Sequence, residues 1–179
     1  IKKYYKEGTD ILDVGANIGY NTLMFSDYGP VSSFEPVFHQ IVAKNVKQNP
    51  IRHPVNVYTC ALSNEKKQME IFIPSHGCQS NTQINYGGTS FHLEGDMKGM
   101  GMQVPCERLD DIYEGIPSVI KIDVEHHEMQ VLEGAKETIQ KHMPTILIEI
   151  HDFDNNPVAK FLEELGYDKP EERPEAVYL

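Results

Sequence analysis

The chain has 179 residues, 40% of them hydrophobic and 24% charged, enough for one domain with a packed core. Its net charge of −11 argues against a nucleic-acid backbone as the main partner, because phosphate binding needs a basic face. Three cysteines without a C-x-x-C pair (Cys60, Cys78, Cys106), no apolar run near the ~20 residues of a membrane span and no signal-peptide pattern lead to an expectation of free thiols in the cytoplasm.

Residues 1–9 are polar and basic and read as a lead-in; the start at Ile1 rather than Met makes a trimmed piece of a longer chain the expectation. "DILDVG" (10–15) reads as a short buried strand, and Asn17 as the opening of a helix whose apolar face is Ile18, Leu23, Met24 and Phe25. Gly29-Pro30 stops that helix, "VSSFEP" (31–36) is a second strand, and residues 38–49 form an amphipathic helix with Ile41, Val42 and Val46 on one side. "VNVYTCALSN" (55–64) is a third strand with its exit loop. The strand–helix alternation calls for a parallel sheet covered by helices.

The rhythm then changes. "QMEIFIP" (68–74) is an extra strand, residues 75–101 are a glycine-rich substrate-side loop or insert, and "MQVPCERLDDI" (102–112) returns to strand character. Alternation resumes with a buried strand at 118–123, a helix over 124–142, a buried strand "TILIEIH" (145–151) and a helix over 156–166 with Pro157 near its start. "EAVYL" (175–179) is a final strand. With no internal repeat, residues 1–179 are read as one domain.

In a parallel α/β sheet, ligands bind at the carboxyl ends of strands. "DVGANIG" lies at such an end, and its glycines, Gly15 and Gly19, allow either a close ligand approach or only tight strand–helix packing. The spacing is G-x-x-x-G, not the dinucleotide G-x-G-x-x-G, and no Gly-Lys-Ser/Thr follows as in a P-loop. Asp13, two residues before Gly15, suits a ligand with positive charge. Glu35 ends the second strand, 20 residues after Gly15, where a carboxylate accepts ribose hydroxyls; the alternative is a surface acid before a proline. The two features together point to an adenosine-type ligand without pyrophosphate, with S-adenosylmethionine as the leading candidate.

The stretches "ILDVGANIGYNT", "FEP", "CALSN", "GGTSF", "ERLDDI", "VIKIDVEHHEMQVLEGA" and "ILIEIH" stand in the order found in FkbM-type methyltransferases, which the chain resembles from about residue 10 to residue 167. The resemblance implies an α/β, three-layer Rossmann-like class I methyltransferase sheet of seven strands, the last antiparallel. It implies S-adenosylmethionine as donor and a hydroxyl on a sugar or sugar-bearing small molecule as acceptor. It maps Asp13, Gly15, Ala16, Asn17, Gly19 and Tyr20 onto the donor-binding turn, Glu35 onto the ribose acid, and Ala61 and Leu62, with Ser63 nearby, onto the adenine side. The chain departs from the family at His126, where glycine is frequent, and after Gly166, where one strand is evident instead of two.

Methyl transfer to a hydroxyl gains from a general base or a metal. Asp123, at the end of "VIKID", is the first candidate, against a purely turn-ordering role. Lys121, two residues earlier on the same strand face, would pair with an acid that the sequence does not identify. Glu125, His126, His127 and Glu128 cluster at a helix start, where acids also complement the helix dipole and histidines also serve as caps. Glu149 and His151 share a strand face, and a buried Glu149 would need a partner. The catalytic candidates are therefore Asp123, Glu125, His126, Glu149 and His151; no metal-ligand spacing is present, and no metal is expected. In the glycine-rich loop, Tyr86, Gly88 and Ser90 are the acceptor-binding candidates, with Gly87, Thr89 and His92 beside them. The competing readings are N-methylation of an amine or protein, a non-catalytic nucleotide-binding module, and a nicotinamide oxidoreductase, which the glycine spacing disfavours. No Asn/Asp-Pro-Pro-Tyr/Phe motif for DNA-base methylation is present.

Overall fold

The computed structural model describes residues 1–74, 88–91, 99–149, 156–168 and 176–178. Short apolar runs that are buried end to end make the centre of a parallel sheet, because strands covered on both faces need no polar alternation. β1 (Asp10–Val14), buried from Ile11 onward, is one such run, with β2 (Val31–Phe34) beside it and β7 (Pro117–Ile122) on its other side. β3 (Val55–Tyr58) extends the sheet past β2, and β8 (Thr145–Ile148) extends it past β7. β9 (Ala176–Tyr178) closes the far edge antiparallel to β8, giving the order β3-β2-β1-β7-β8-β9. Among the described residues the sheet thus has six strands rather than seven, with the single antiparallel strand at its C-terminal edge.

The strand register sorts the core into two faces. Ile11, Val31 and Val119 share one row and pack with Phe25 of α1 (Tyr20–Phe25). Val14, Phe34 and Ile122 share a row on the opposite face, in the cluster with Leu132 of α4 (Glu128–Gly134), Ile139 of α5 (Lys136–His142) and Leu162 of α6 (Pro157–Glu164). α2 (His39–Gln48) lies against β3 and α1, and buries Val42 completely. Two helical layers with the sheet between them give the expected three-layer architecture.

Four expectations need correction. The first helix starts at Tyr20 and not at Asn17, and it buries Thr22 and Phe25 while Ile18 and Met24 are exposed, because a left-handed turn precedes it. The third strand splits: after β3, Ala61 and Leu62 form β4 in a second sheet, parallel to β6 (Gly99–Glu107), which pairs antiparallel with β5 (Lys67–Pro74). The "LDDI" tail of the expected 102–112 strand is instead a short helix, α3 (Leu109–Ile112), which places Asp110 to accept from Glu137 N and Thr138 N at the start of α5. The expected helix over 124–142 is two helices preceded by a tight turn, so Glu125 and His126 are not in a helix at all.

Candidate donor and acceptor site

The glycine turn is held through its own backbone atoms. Gly15 N and Ala16 N donate to the carbonyl of Phe34, Gly19 N donates to Ala16 O, and Asn45 Nδ2 donates to Ile18 O. Gly15 has φ +77°, and a Cβ there would lie 1.9 Å from the Asp123 carbonyl oxygen, so neither the angle nor the space admits a side chain. Gly19, at φ +86°, packs against Val42. The ends of β1, β2 and β7 therefore meet at a point where only backbone can pass, and Gly15 and Asp123 face one another across it.

Glu35 is buried, not a surface acid. Its Oε1 accepts from Val37 N at 2.8 Å and Phe38 N at 3.0 Å, and its Oε2 accepts from Asn17 N at 2.8 Å. Asn17 adopts φ +53° to deliver that N–H. One carboxylate thus ties the glycine turn to the entrance of α2. Burial pushes the Glu35 pKa up, against the lowering effect of the three N–H groups. A carboxylate oxygen accepts more than one hydrogen bond, so Oε2 keeps capacity for a ligand hydroxyl.

Behind the turn lies a buried polar row. Thr22 Oγ1 donates to Asp13 Oδ2 at 2.5 Å and lies 3.1 Å from Ser33 Oγ. Lys121 answers the question its sequence position leaves open: its Nζ donates to Gly15 O at 3.0 Å and pairs with Asp123 Oδ2 at 3.2 Å and Asp13 Oδ1 at 3.5 Å.

One cleft opens on the turn. Gly15, Asn17, Glu35, Ala61, Leu62, Asp123 and Glu125 all line it, so seven of the residues singled out by sequence converge on one place. Asp13 and Ala16 are buried outside its lining, Gly19 packs on Val42, and Tyr20 is an exposed residue at the start of α1. The lining also includes Thr89 and His127, which the sequence reading names, and Phe38, Ile71, Phe91 and Val124, which it does not single out as site residues. His127 is buried at the N-cap of α4, with Nε2 3.1 Å from Ser63 Oγ and its ring 4.5 Å from that of Phe91. Sequence reading treats it as a surface or cap histidine. Its burial depends on Ser63 and Phe91, which are remote in the chain, and no local pattern carries that information.

A second cleft adjoins the first and shares Glu125 with it. Its other charged or titratable lining residues are His126, Glu128 and Glu149, and α6 closes it through Asn156, Pro157 and Val158. Glu149 is exposed, one residue beyond β8, so the expectation of a buried strand acid is corrected. Glu125 and His126 have φ +49° and +71°, a left-handed pair that L side chains adopt at a cost. Ser90 Oγ donates to Glu125 O at 2.8 Å, and His126 N donates to Glu128 Oε1 at 3.1 Å. Ser90 is itself buried and exchanges both backbone hydrogen bonds with Phe72 of β5. Burial first, then the negative charges of Asp123 and Glu149, pushes the Glu125 pKa up; His126 opposes this and Glu128 adds to it. Gly88 lies next to this segment in the chain, outside the lining of both clefts. Tyr86, His92 and His151 lie outside the described residues.

Comparison with known proteins agrees with this geometry. The family described as the Methyltransferase FkbM domain matches residues 13–169. The chain is 30% identical over 164 residues to hexuronic acid methyltransferase AglP of Haloferax volcanii, covering 88% of this chain and 63% of that protein. It is 28% identical over 178 residues to 31-O-demethyl-FK506 methyltransferase FkbM of Streptomyces tacrolimicus, covering 83% of this chain and 68% of that one. The crystal structure of methyltransferase FkbM from Methylobacillus flagellatus KT superposes with a TM-score of 0.65 at 17% identity over 97% of this chain and 44% of that one, a likeness of fold. The chain thus spans about two thirds of the length of these curated relatives, and among its described residues no helix is long and apolar enough to cross a membrane. With its strand order, its glycine turn and a family match over most of its length, this chain belongs to the FkbM methyltransferase family.

Proposed function

We propose that residues 1–179 form one methyltransferase domain that uses S-adenosylmethionine to methylate a hydroxyl on a sugar or sugar-bearing small molecule. The observation that carries the reading is the position of Glu125, which borders both clefts: one built around the glycine turn and Glu35, the other lined by polar side chains.

The residues present fit the donor. Glu35 Oε2 accepts a ribose hydroxyl, the bare backbone at Gly15 allows close approach, and Ala61, Leu62, Phe38 and Ile71 offer an apolar slot for a flat base. The bound donor supplies a methyl group already activated on a sulfonium, so the chain's task is positioning and proton removal. Glu125 takes the proton of the acceptor hydroxyl; its raised pKa makes it a better base than an ordinary carboxylate. Asp123, pinned by Lys121, holds its carboxylate on the donor side of Glu125.

The acceptor cleft has a charge preference. Glu125, Glu128 and Glu149 line it, and no Lys or Arg does among the described residues. That wall suits an uncharged polyol and disfavours a carboxylate-bearing sugar, even though the Haloferax relative is named for hexuronic acid. The buried free thiols of Cys60 and Cys106, pushed up to about 11 by burial, support a reducing, cytoplasmic setting.

The test is transfer of a labelled methyl group from S-adenosylmethionine to matched methyl glycosides: neutral, 2-amino and 6-carboxylate. Labelling of the neutral glycoside on oxygen, lost in Glu125→Gln, is the expected result. Labelling of the amine or of a protein would replace the O-methyl reading, and preference for the 6-carboxylate would overturn the charge argument.

A further inference from the structure

We propose that Lys121 sets the net charge behind the glycine turn, and through it the preference of the donor cleft for a sulfonium ligand over the neutral thioether that methyl transfer leaves behind. The inference rests on the donor reading above and adds a residue that does not itself line the cleft.

Lys121 stands on β7 in the same cross-strand row as Asp13 of β1, with its side chain 12% exposed. Its ammonium is shared by three partners from two strand ends: the Gly15 carbonyl, the half-exposed Asp123 carboxylate and the buried Asp13 carboxylate. Asp13 Oδ2 is taken by Thr22, while Oδ1 makes no hydrogen bond among the described residues and faces the Lys121 ammonium. A carboxylate buried that deeply is costly without a counter-charge. Lys121 therefore keeps Asp13 tolerable under the turn, and it also fixes the rotamer of Asp123, which does line the cleft.

The electrostatic consequence follows from counting charges. Two carboxylates and one ammonium leave a single net negative charge behind the turn. S-adenosylmethionine and S-adenosylhomocysteine differ by one positive charge and one methyl group. A fixed charge within several Å of a partly desolvated ligand acts on that difference, because the attraction is weakly screened there. Without Lys121, the cation would be held more tightly relative to the product. Without Asp123, it would be held less tightly. Lys121 is thus a positioning and charge-setting residue, acting through Gly15 and Asp123.

The experiment measures dissociation constants of S-adenosylmethionine and S-adenosylhomocysteine by calorimetry for the native chain, Lys121→Gln, Asp123→Asn and the double variant. The expected preference for the sulfonium rises at least about 3-fold in Lys121→Gln, falls at least about 3-fold in Asp123→Asn, and returns to the native ratio in the double variant, whose net charge equals the native one. Should Lys121→Gln and the double variant fail to fold with Asp13 left buried, Asp123→Asn still carries the test: an unchanged ratio there overturns the proposal. A purely structural role for Lys121 would lower both affinities together with the ratio unchanged, and that result overturns the proposal. If the native chain binds neither ligand, the donor reading fails and this inference falls with it.

Discussion

The two clefts that meet at Glu125 differ in what their turns admit. At the glycine turn, Gly15 N and Ala16 N donate to the Phe34 carbonyl, and the Glu35 and Lys121 side chains bond the backbone of Asn17 and Gly15. At the acceptor end, the key residue sits in a left-handed pair, Glu125-His126, held by one hydroxyl from Ser90 and one carboxylate from Glu128. The first arrangement leaves no room for a side chain at Gly15. The second carries strain at Glu125 and His126 and restrains it with the Ser90 and Glu128 side chains.

The sharpest way to break this contrast is Gly15→Ala. A Cβ 1.9 Å from the Asp123 carbonyl at φ +77° should cost more than about 3 kcal/mol, read as loss of the folding transition or of all donor affinity. A tolerated substitution would mean that the turn is looser than the backbone contacts imply. Glu125→Gln comes next: turnover should fall about 10²- to 10⁴-fold while S-adenosylhomocysteine affinity stays within about 3-fold. The native acid limb should lie above the ordinary carboxylate range, because the base must lose a proton that its surroundings hold, and activity rises with pH through that limb; in Glu125→Gln the limb should vanish.

Glu35→Ala strands three N–H groups and should cost about 1–3 kcal/mol in unfolding free energy, together with a clear loss of donor affinity. Its titration gives a second readout. The folded pKa is raised, so the folded state holds this proton more tightly than the unfolded one; the stability this contributes is complete below the unfolded pKa and is lost as pH rises through the folded value. Ribose hydroxyls that donate to the carboxylate would favour its ionised form, so ligand binding should release protons in that acidic window, measurable by calorimetry in buffers of different ionisation enthalpy. Ser90→Ala should cost about 1 kcal/mol in stability and lower turnover more than donor affinity. The smallest effect is expected for His126→Gly, a stabilisation of up to about 1 kcal/mol through relief of φ +71°, seen in the melting temperature.

The contrast also explains what the sequence made visible. Gly15, Glu35 and Asp123 are found by spacing because a turn that must pass backbone against backbone needs glycine, and the two acids follow the strands that flank β1 on either side. The pairing of Lys121 was expected without its partners, which register alone could reveal. Ser90, expected as an acceptor contact, is buried and holds the Glu125 carbonyl instead; its role depends on Phe72, 18 positions away in the chain. His127, read as a surface or cap histidine, does stand at the N-cap of α4, but its burial needs Phe91 and Ser63 in place. Helical periodicity masked the Glu125-His126 turn, although glycine in that family position was the one hint that a positive φ was required.

The central claim is a donor site at the glycine turn that depends on Glu35. The most direct measurement is a thermal-shift series with S-adenosylmethionine, S-adenosylhomocysteine and NAD on the native chain and on Glu35→Ala. At ~100 times the dissociation constant a ligand adds about 2.7 kcal/mol, or roughly 5–10 °C for a domain of this size. Such a shift is expected with the two sulfur nucleosides, none with NAD, and a much smaller one in Glu35→Ala. A shift with NAD alone, or equal shifts in the native chain and Glu35→Ala, would contradict the claim.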